Sequence, residues 1–380
     1  MRLLHIFAGN LYGGVERLLQ TLAACKSQCP EMDPHFAYCF EGQLSRDLRA
    51  GGESIHSLGE VRARLPLSVW RARKKLRSLL ASGRFDRVVC HSPWLQAIFG
   101  AEIRRAGIPG ALWLHEAPDG KHWVQRWAKM ARPDFVVCNS RFTQSKLSNL
   151  YRDLSSAVVY LPVLPPAIQH SDADRAELRH ELNTPSDAIV IIQVSRMEDW
   201  KGHRILLECL AQMADLPRWL CWVVGGAQCP KEERYFQSLQ KLAARSGIAK
   251  RVRFLGQRSD VPRFLHAADI FVQANERPEP FGVSFIEALY AGLPVVTTDF
   301  GGAKEIVNSS CGILLSPGDS AALQDALNKL IRSEELRKTL SKGGPIHAQG
   351  LTEPIGRLKE LCRILASTSE AFQKPGATLN

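Results

Sequence analysis

Ile270-Phe-Val-Gln273-Ala-Asn275-Glu-Arg-Pro-Glu279-Pro-Phe-Gly282-Val-Ser-Phe-Ile-Glu287-Ala-Leu-Tyr-Ala-Gly292-Leu-Pro294-Val295-Val-Thr-Thr298 reads as one complete strand–loop–helix–strand unit. Two short β-branched or aromatic runs, Ile270–Gln273 and Val295–Thr298, flank a proline-bounded loop and a helix starting near Gly282 or Val283. Such runs, separated by helix-patterned stretches, mark βαβ units and a parallel sheet. The alternation extends in both directions. Further strands are expected at Ile189–Val194, Leu220–Val224, Val252–Leu255 and Gly312–Leu315 in the same half. The first half offers Leu3–Ala8, Phe36–Phe40, Arg87–His91, Ala111–His115, Phe135–Cys138 and Val158–Leu161. Leu161-Pro-Val-Leu-Pro-Pro and the polar Gln169–Arg175 separate the two sets and read as a linker. The expected fold class is therefore α/β, with two Rossmann-like domains whose strand C-termini face a central cleft. The boundaries expected are 1–170, 171–350, and a last piece 351–380. That piece is read as helical after a Gly343-Gly344-Pro345 break, with a frayed tail over Gln373–Asn380.

Composition is compatible with this reading. The chain has 380 residues, too many for one ordinary core, and 45% hydrophobic against 23% charged residues excludes disordered, collagen-like and coiled-coil classes. No apolar run approaches the roughly 18–20 residues that span a bilayer, and Leu3–Ala8 is too short for a secretory core, so a cytoplasmic location is expected. The ten cysteines are scattered, several inside apolar runs, and read as buried free thiols. Cys25-x3-Cys29 lacks a second pair at zinc-ligand spacing, and no metal site is expected.

Of the formal charge of +11, most lies in residues 1–180, which hold 25 Lys and Arg against 16 Asp and Glu. Between Val61 and Arg77 stand Arg62, Arg64, Arg71, Arg73, Lys74, Lys75 and Arg77 without an acidic residue. Apolar residues at near-helical spacing from Ser68 make this an amphipathic helix with a cationic face. An anionic membrane surface is one partner for it, and a solvated face covering a sheet is the alternative. Nucleic acid is not expected, because the stretch holds a single aromatic, Trp70.

Three loops carry candidate chemistry. Gly13-Gly14-Val-Glu16 follows the first strand and opens a helix, where paired glycines let backbone approach a ligand, although a plain strand-to-helix turn also accounts for them. Ser195-Arg196-Met-Glu-Asp-Trp-Lys201-Gly202 places two cations at a strand exit and a helix start, suited to a diphosphate. Ion pairing of Arg196 with Glu198 or Asp199 is the alternative. In the opening segment, Glu279 in the loop and Glu287 about one turn into the helix are carboxylates suited to sugar or ribose hydroxyls, beside helix amides suited to phosphate oxygens, although for Glu287 alone ordinary complementation of the helix dipole accounts for it equally well. The one literal D-x-D, Asp172-Ala-Asp174, reads as a capping cluster ahead of a helix Arg175–Leu182.

The segment from Glu279 to Glu287 resembles the E-x7-E motif of retaining GT-B glycosyltransferases, specifically glycosyltransferase family 4. Gly13-Gly14-Val-Glu16, His91-Ser-Pro, Asn139-Ser-Arg-Phe, Ser195-Arg-Met with Lys201-Gly, Val223-Val-Gly-Gly, Val252-Arg-Phe-Leu-Gly256, and Gly301-Gly with Glu305 match in order and spacing. The resemblance covers most of the chain. It implies an N-terminal acceptor domain, a C-terminal domain for a nucleotide-diphosphate sugar, and a last helix crossing back to the first domain. It further implies that Arg196 and Lys201 hold the donor diphosphate, Glu287 the ribose hydroxyls, and Glu279 the transferred sugar. Backbone amides of Phe281, Gly282, Val283 and Ser284 would complete the phosphate and sugar contacts, and Gly13 and Gly14 would approach the diphosphate from the other lobe. His115 matches the family's histidine beside the donor sugar, and Gly256 and Gln257 its base pocket.

The activity expected is a metal-independent retaining hexosyl transfer, without a cofactor, onto a lipid-linked or nascent polysaccharide acceptor at the inner membrane face, a destination that the basic helix fits. Attack on the same face, with the departing phosphate taking the acceptor's proton, is the expected course. An epimerase or sugar-phosphate synthase of the same fold, or a silent scaffold binding nucleotide sugar or membrane, are the other readings. An extra charged pair, Glu276-Arg277, departs from the usual pattern and leaves the donor sugar open, as the acceptor is open.

Overall fold

The alternation forms two fully parallel sheets in the computed structural model, which describes residues 1–168, 170–216 and 218–373. The chain divides into two compact units, one made of Met1–Val163 with the residues from Glu353 onward, the other of Leu164–Thr352.

In the first unit the strands are β1 (Arg2–Phe7), β2 (Asp33–Tyr38), β3 (Ile55–Ser57), β4 (Arg87–Cys90), β5 (Gly110–Leu114), β6 (Phe135–Cys138) and β7 (Ser156–Val158). Their spatial order is 3-2-1-4-5-6-7, so the direction of winding reverses between β1 and β4. Loops leaving the C-terminal ends of strands at such a reversal border a crevice, the usual ligand position in open α/β sheets. The apolar runs are buried on both faces, as parallel strands require: Leu3, Leu4, Ile6 and Phe7 are fully covered. Strand β3 was not expected, because three residues ending in the exposed Ser57 carry too little periodicity to read. Strand β7 starts two residues before the expected Val158, at Ser156 paired with Val136. The helix Pro354–Gln373 belongs to this unit, with Leu358, Leu361 and Leu365 fully buried. Most of the tail Gln373–Asn380 lies outside the described residues.

The second unit holds β8 (Ile189–Val194), β9 (Trp219–Val224), β10 (Val252–Gly256), β11 (Ile270–Gln273), β12 (Val295–Thr298) and β13 (Gly312–Leu315) in the order 10-9-8-11-12-13. Here the reversal falls between β8 and β11. The D-x-D lies inside the helix Asp172–Glu181 and not ahead of it. Ser171 is its N-cap, accepting from the Asp174 amide while Asp174 Oδ2 accepts from the Ser171 amide at 2.7 Å, a capping box. Arg175 and Arg179 from this helix each donate to Asp269 at 2.6 Å, fixing it to the start of β11.

Gly343-Gly344-Pro345 does not break the chain, contrary to expectation: one helix runs Glu334–Thr352 through Pro345, and the break falls at Glu353. The glycines are spacers. A Cβ on Gly343 would lie 2.2 Å from the Ser310 carbonyl oxygen, and one on Gly344 3.0 Å from that of Leu289.

All ten cysteines are free thiols, nine of them buried. Among the described residues no helix is long and apolar enough to cross a membrane, and no group of three or more His, Cys, Asp or Glu side chains is placed to hold a metal ion.

Candidate active site

In the second unit, the loop after β8 and the loop after β11 meet because Gly202 has no side chain. Its φ of +78° is the left-handed conformation, and a Cβ there would stand 2.0 Å from the Ala274 carbonyl oxygen. Gly202 caps the helix His203–Gln212, after a single 3₁₀ turn Asp199–Lys201. The Glu276 amide donates to the Trp200 carbonyl at 2.8 Å, tying one loop to the other.

This contact brings Lys201 to Glu279. Lys201 Nζ donates to Glu279 Oε2 at 2.7 Å, and both side chains are largely buried. The same oxygen accepts from Gln273 Nε2 at 3.2 Å and Asn275 Nδ2 at 3.4 Å. Lys201 Nζ also lies 3.9 Å from the centroid of the Trp200 ring. The backbone of Glu279 is held from the other side, where the Gly302 amide donates to its carbonyl at 2.7 Å. Gly301, at φ +73°, permits that approach: a Cβ would fall 2.4 Å from the Glu279 carbonyl oxygen. Gln273 and Asn275 were not singled out from sequence. Their signal was a polar residue closing an apolar strand, where both are in fact fully buried.

Gly282, at φ +110°, caps the helix Val283–Tyr290, whose first amides have no intrahelical acceptor and form a positive end. Phe281 is buried, Val283 and Ser284 are half-covered, and Ser284 Oγ donates to Gln273 Oε1 at 3.4 Å. Glu287 lies half-buried on this helix.

Arg196 is held apart from Lys201's partner. Its Nη2 donates to the buried Glu232, and Nη1 lies 3.7 Å from Glu198. Glu232 in turn accepts from the Gln228 amide at 2.7 Å. The ion pairing raised as an alternative is thus present through Glu198, with Glu232, 36 residues away, as the nearer acid. Gly225 joins three loops. Its amide donates to the Gly256 carbonyl at 2.8 Å, and its φ of +139° sets its missing Cβ 1.9 Å from the Ser195 carbonyl oxygen. Gly226 lies against Gln257.

In the first unit, Gly13 caps the helix Gly14–Ala24, and its amide donates to Glu16 Oε2 at 2.9 Å. His115 stands one residue past β5. Its Nε2 is 3.1 Å from His91 Nδ1, and His91 Nε2 is 3.0 Å from His5 Nδ1. Burial holds all three imidazoles neutral, pushing His5 and His115 down to about 3 and His91 well below its ordinary value.

The second unit matches the family described as Glycosyl transferases group 1 over residues 174–346, and the first matches Glycosyltransferase Family 4 over residues 12–163. The chain belongs to glycosyltransferase family 4. It is 33% identical over 167 residues to the lipopolysaccharide core biosynthesis glycosyltransferase LpsE of Rhizobium meliloti, covering 44% of this chain and 46% of that one. It is 30% identical over 226 residues to the D-inositol 3-phosphate glycosyltransferase of Corynebacterium jeikeium, covering 57% and 53%. The chain thus spans about half the length of the curated relatives it matches. The crystal structure of Anabaena HepE in complex with UDP and glucose superposes with a TM-score of 0.85 over 97% of this chain and 100% of that one, at 23% identity. That likeness shows a shared GT-B fold. Within the family 4 chain, Gly13, Gly14 and His115 fall in the first matched segment, and Arg196, Lys201, Gly256, Gln257, Glu279 and Glu287 in the second.

Proposed function

We propose that the chain is a metal-independent, retaining glycosyltransferase that moves a sugar from a nucleoside-diphosphate sugar to a lipid-linked or oligosaccharide acceptor at the cytoplasmic face of a membrane. The observation that carries the reading is the Lys201–Glu279 pair, set at the winding reversal of the second sheet beside the cationic end of the helix Val283–Tyr290. Glu279 neutralises Lys201 while no anion is bound. A donor diphosphate arriving at the helix amides takes over the ammonium, and the released carboxylate accepts hydrogen bonds from hydroxyls of the sugar to be transferred. As the glycosidic bond breaks, charge grows on the leaving phosphate. Lys201, released from Glu279, and the helix terminus face that phosphate and stabilise it, and Arg196 joins them by exchanging its pairing with Glu198 and Glu232 for the phosphate. The acceptor oxygen attacks the same face of the sugar and gives its proton to that phosphate, which retains configuration. Glu287 holds the ribose, and Gly256 and Gln257 line the base. LpsE and HepE favour a UDP-linked donor and a cell-envelope acceptor.

The cationic helix fits the membrane side of the proposal. It runs Pro66–Gly83, and Leu65, Leu67 and Trp70 at its start are more than half exposed beside Arg64 and Arg71. Its charge is less uncompensated than the sequence indicates. Arg62 pairs with Glu60 and Arg77 with Glu102, while Arg73 donates to the Ile98 carbonyl at 2.7 Å.

A thermal-shift panel of UDP, GDP, ADP and their common sugars without metal, on the wild type and Lys201→Ala, tests the donor site. A ligand at 100 times its Kd adds about 2.7 kcal/mol, a shift of a few degrees. Stabilisation by one nucleotide family, abolished in Lys201→Ala, supports the reading. No shift with any of them overturns it.

A further inference from the structure

Each cation of the donor loop is met by an acid, and the two acids are not alike. Glu279 has a second use in the proposed reaction, because hydroxyls of the sugar engage it once phosphate takes Lys201. Glu232 has none. It stands on the first turn of the helix Pro230–Arg245, where its cation is Arg196.

The carboxylate is fixed in place. Glu232 is buried, and its Oε2 accepts from the Gln228 amide at 2.7 Å. Lys231 and Tyr235 of the same helix hold it against the donor loop, with Lys231 Nζ 3.0 Å from Asp199 Oδ2 and Tyr235 Oη donating to the Asp199 carbonyl at 3.5 Å. The guanidinium is less constrained. Arg196 stands two residues past β8, with 27% of its side chain exposed. Its Nη2 donates to Glu232, Nη1 lies 3.7 Å from Glu198, and Nε is buried with no hydrogen-bond partner among the described residues. A planar fork able to bind phosphate or carboxylate through two parallel N–H groups thus makes a single bond to Glu232. Glu232, by contrast, keeps two supports when Arg196 leaves: the Gln228 amide and the positive end of its own helix. A swing of Arg196 therefore breaks the ion pair without stranding the carboxylate.

We propose that Glu232 is a positioning residue that stands in for the diphosphate: it holds Arg196 while the donor site is empty and reclaims it from the product, so that it limits nucleoside-diphosphate affinity and speeds release. The proposal rests on the donor reading above. Groups that stabilise a departing phosphate also retain it after transfer, and release of product limits many enzymes. A resident acid that competes for one of those groups shortens the retention.

Calorimetry with UDP, GDP and ADP identifies the nucleotide that the wild type holds, and that nucleotide is then bound to Glu232→Gln, which removes the charge and keeps an acceptor for the Gln228 amide. The expected result is binding about tenfold tighter, carried by a slower off-rate in stopped flow. In an Arg196→Gln background the same change should gain no more than about twofold, because the contested cation is gone. An equal gain there overturns the proposal, since Glu232 would then act by repulsion alone. Unchanged or weaker binding in Glu232→Gln with Arg196 present also overturns it. A crystal structure of the wild type with the nucleotide reads the exchange without any variant: Arg196 on a phosphate oxygen supports the proposal, and Arg196 still on Glu232 overturns it. A wild type that binds none of the three nucleotides overturns the donor reading itself, and the proposal with it.

Discussion

Lys201 Nζ lies 2.7 Å from Glu279 Oε2 across 78 residues of chain, and the two form a largely buried ion pair. Removing one member leaves the other buried without its counter-ion. Lys201→Met is expected to lower stability by about 2–4 kcal/mol, because Gln273 and Asn275 still donate to the carboxylate and soften the usual 3–5. Glu279→Gln keeps a hydrogen-bond acceptor and should cost less. Urea denaturation of both single variants and the double variant checks this: the double variant should be more stable than the sum of single losses, and strict additivity would show that the pair is not coupled.

Gly301 secures the backbone of Glu279. Gly301→Ala combines a left-handed φ of +73° with a Cβ 2.4 Å from the Glu279 carbonyl oxygen. Gly318→Ala has a similar φ of +77° with nothing within 4 Å. The second should lose only the conformational cost, about 1 kcal/mol, and the first at least about 2 kcal/mol together with nucleotide-sugar binding. Equal losses in thermal denaturation would mean that the loop shifts freely around Gly301.

The strand–helix alternation, and with it the α/β class, was legible because buried parallel strands are short continuous apolar runs that stand out between helices. Lys201 and Glu279 were legible as residue types in suggestive loops. Their pairing was not, because it depends on Gly202 and Ala274 touching, a contact that sequence separation hides. Glu232 escaped notice for the same reason, lying in an unremarkable helix 36 residues from Arg196. His91 was legible in His91-Ser-Pro, but its contact with His5 and His115 was hidden, since only strand pairing aligns positions 5, 91 and 115. Gly343 and Gly344 misled by composition: glycine marks both a break and a close helix contact, and only the neighbours Ser310 and Leu289 decide which.

The helix Pro66–Gly83 makes membrane affinity testable by charge. Among the described residues Arg64, Arg71, Lys74 and Lys75 form no ion pair, and all four are exposed. Reversing Arg71, Lys74 and Lys75 to Glu removes at least three cations at about 1 kcal/mol each, so binding to phosphatidylglycerol vesicles should fall by about two orders of magnitude. Co-sedimentation with phosphatidylcholine vesicles serves as the uncharged control. Unchanged binding to the anionic vesicles would exclude this face as the contact.

Buried neutral histidines set the acid limit of stability. His5 and His203 are held down to about 3 by burial, and His91 well below its ordinary value, whereas in the unfolded chain each titrates near 6.5. Above pH 6.5 neither state binds these protons and the full stability is present. Below it, the unfolded chain takes up protons that the native state refuses, so stability falls as pH drops from 6.5 toward 3, by up to about 1.4 kcal/mol per pH unit for each histidine. Surface carboxylates such as Glu41, held at about 2 by Arg49, add their own loss only below about pH 4.5, so the interval from 6.5 to 5 isolates the histidines. Stability from denaturant melts at pH 7.5 and 5.0 should differ by several kcal/mol in the wild type. His203→Gln, which removes one buried imidazole from the second unit, should flatten that slope by about one proton, and an unchanged slope would mean that His203 already protonates within the native state.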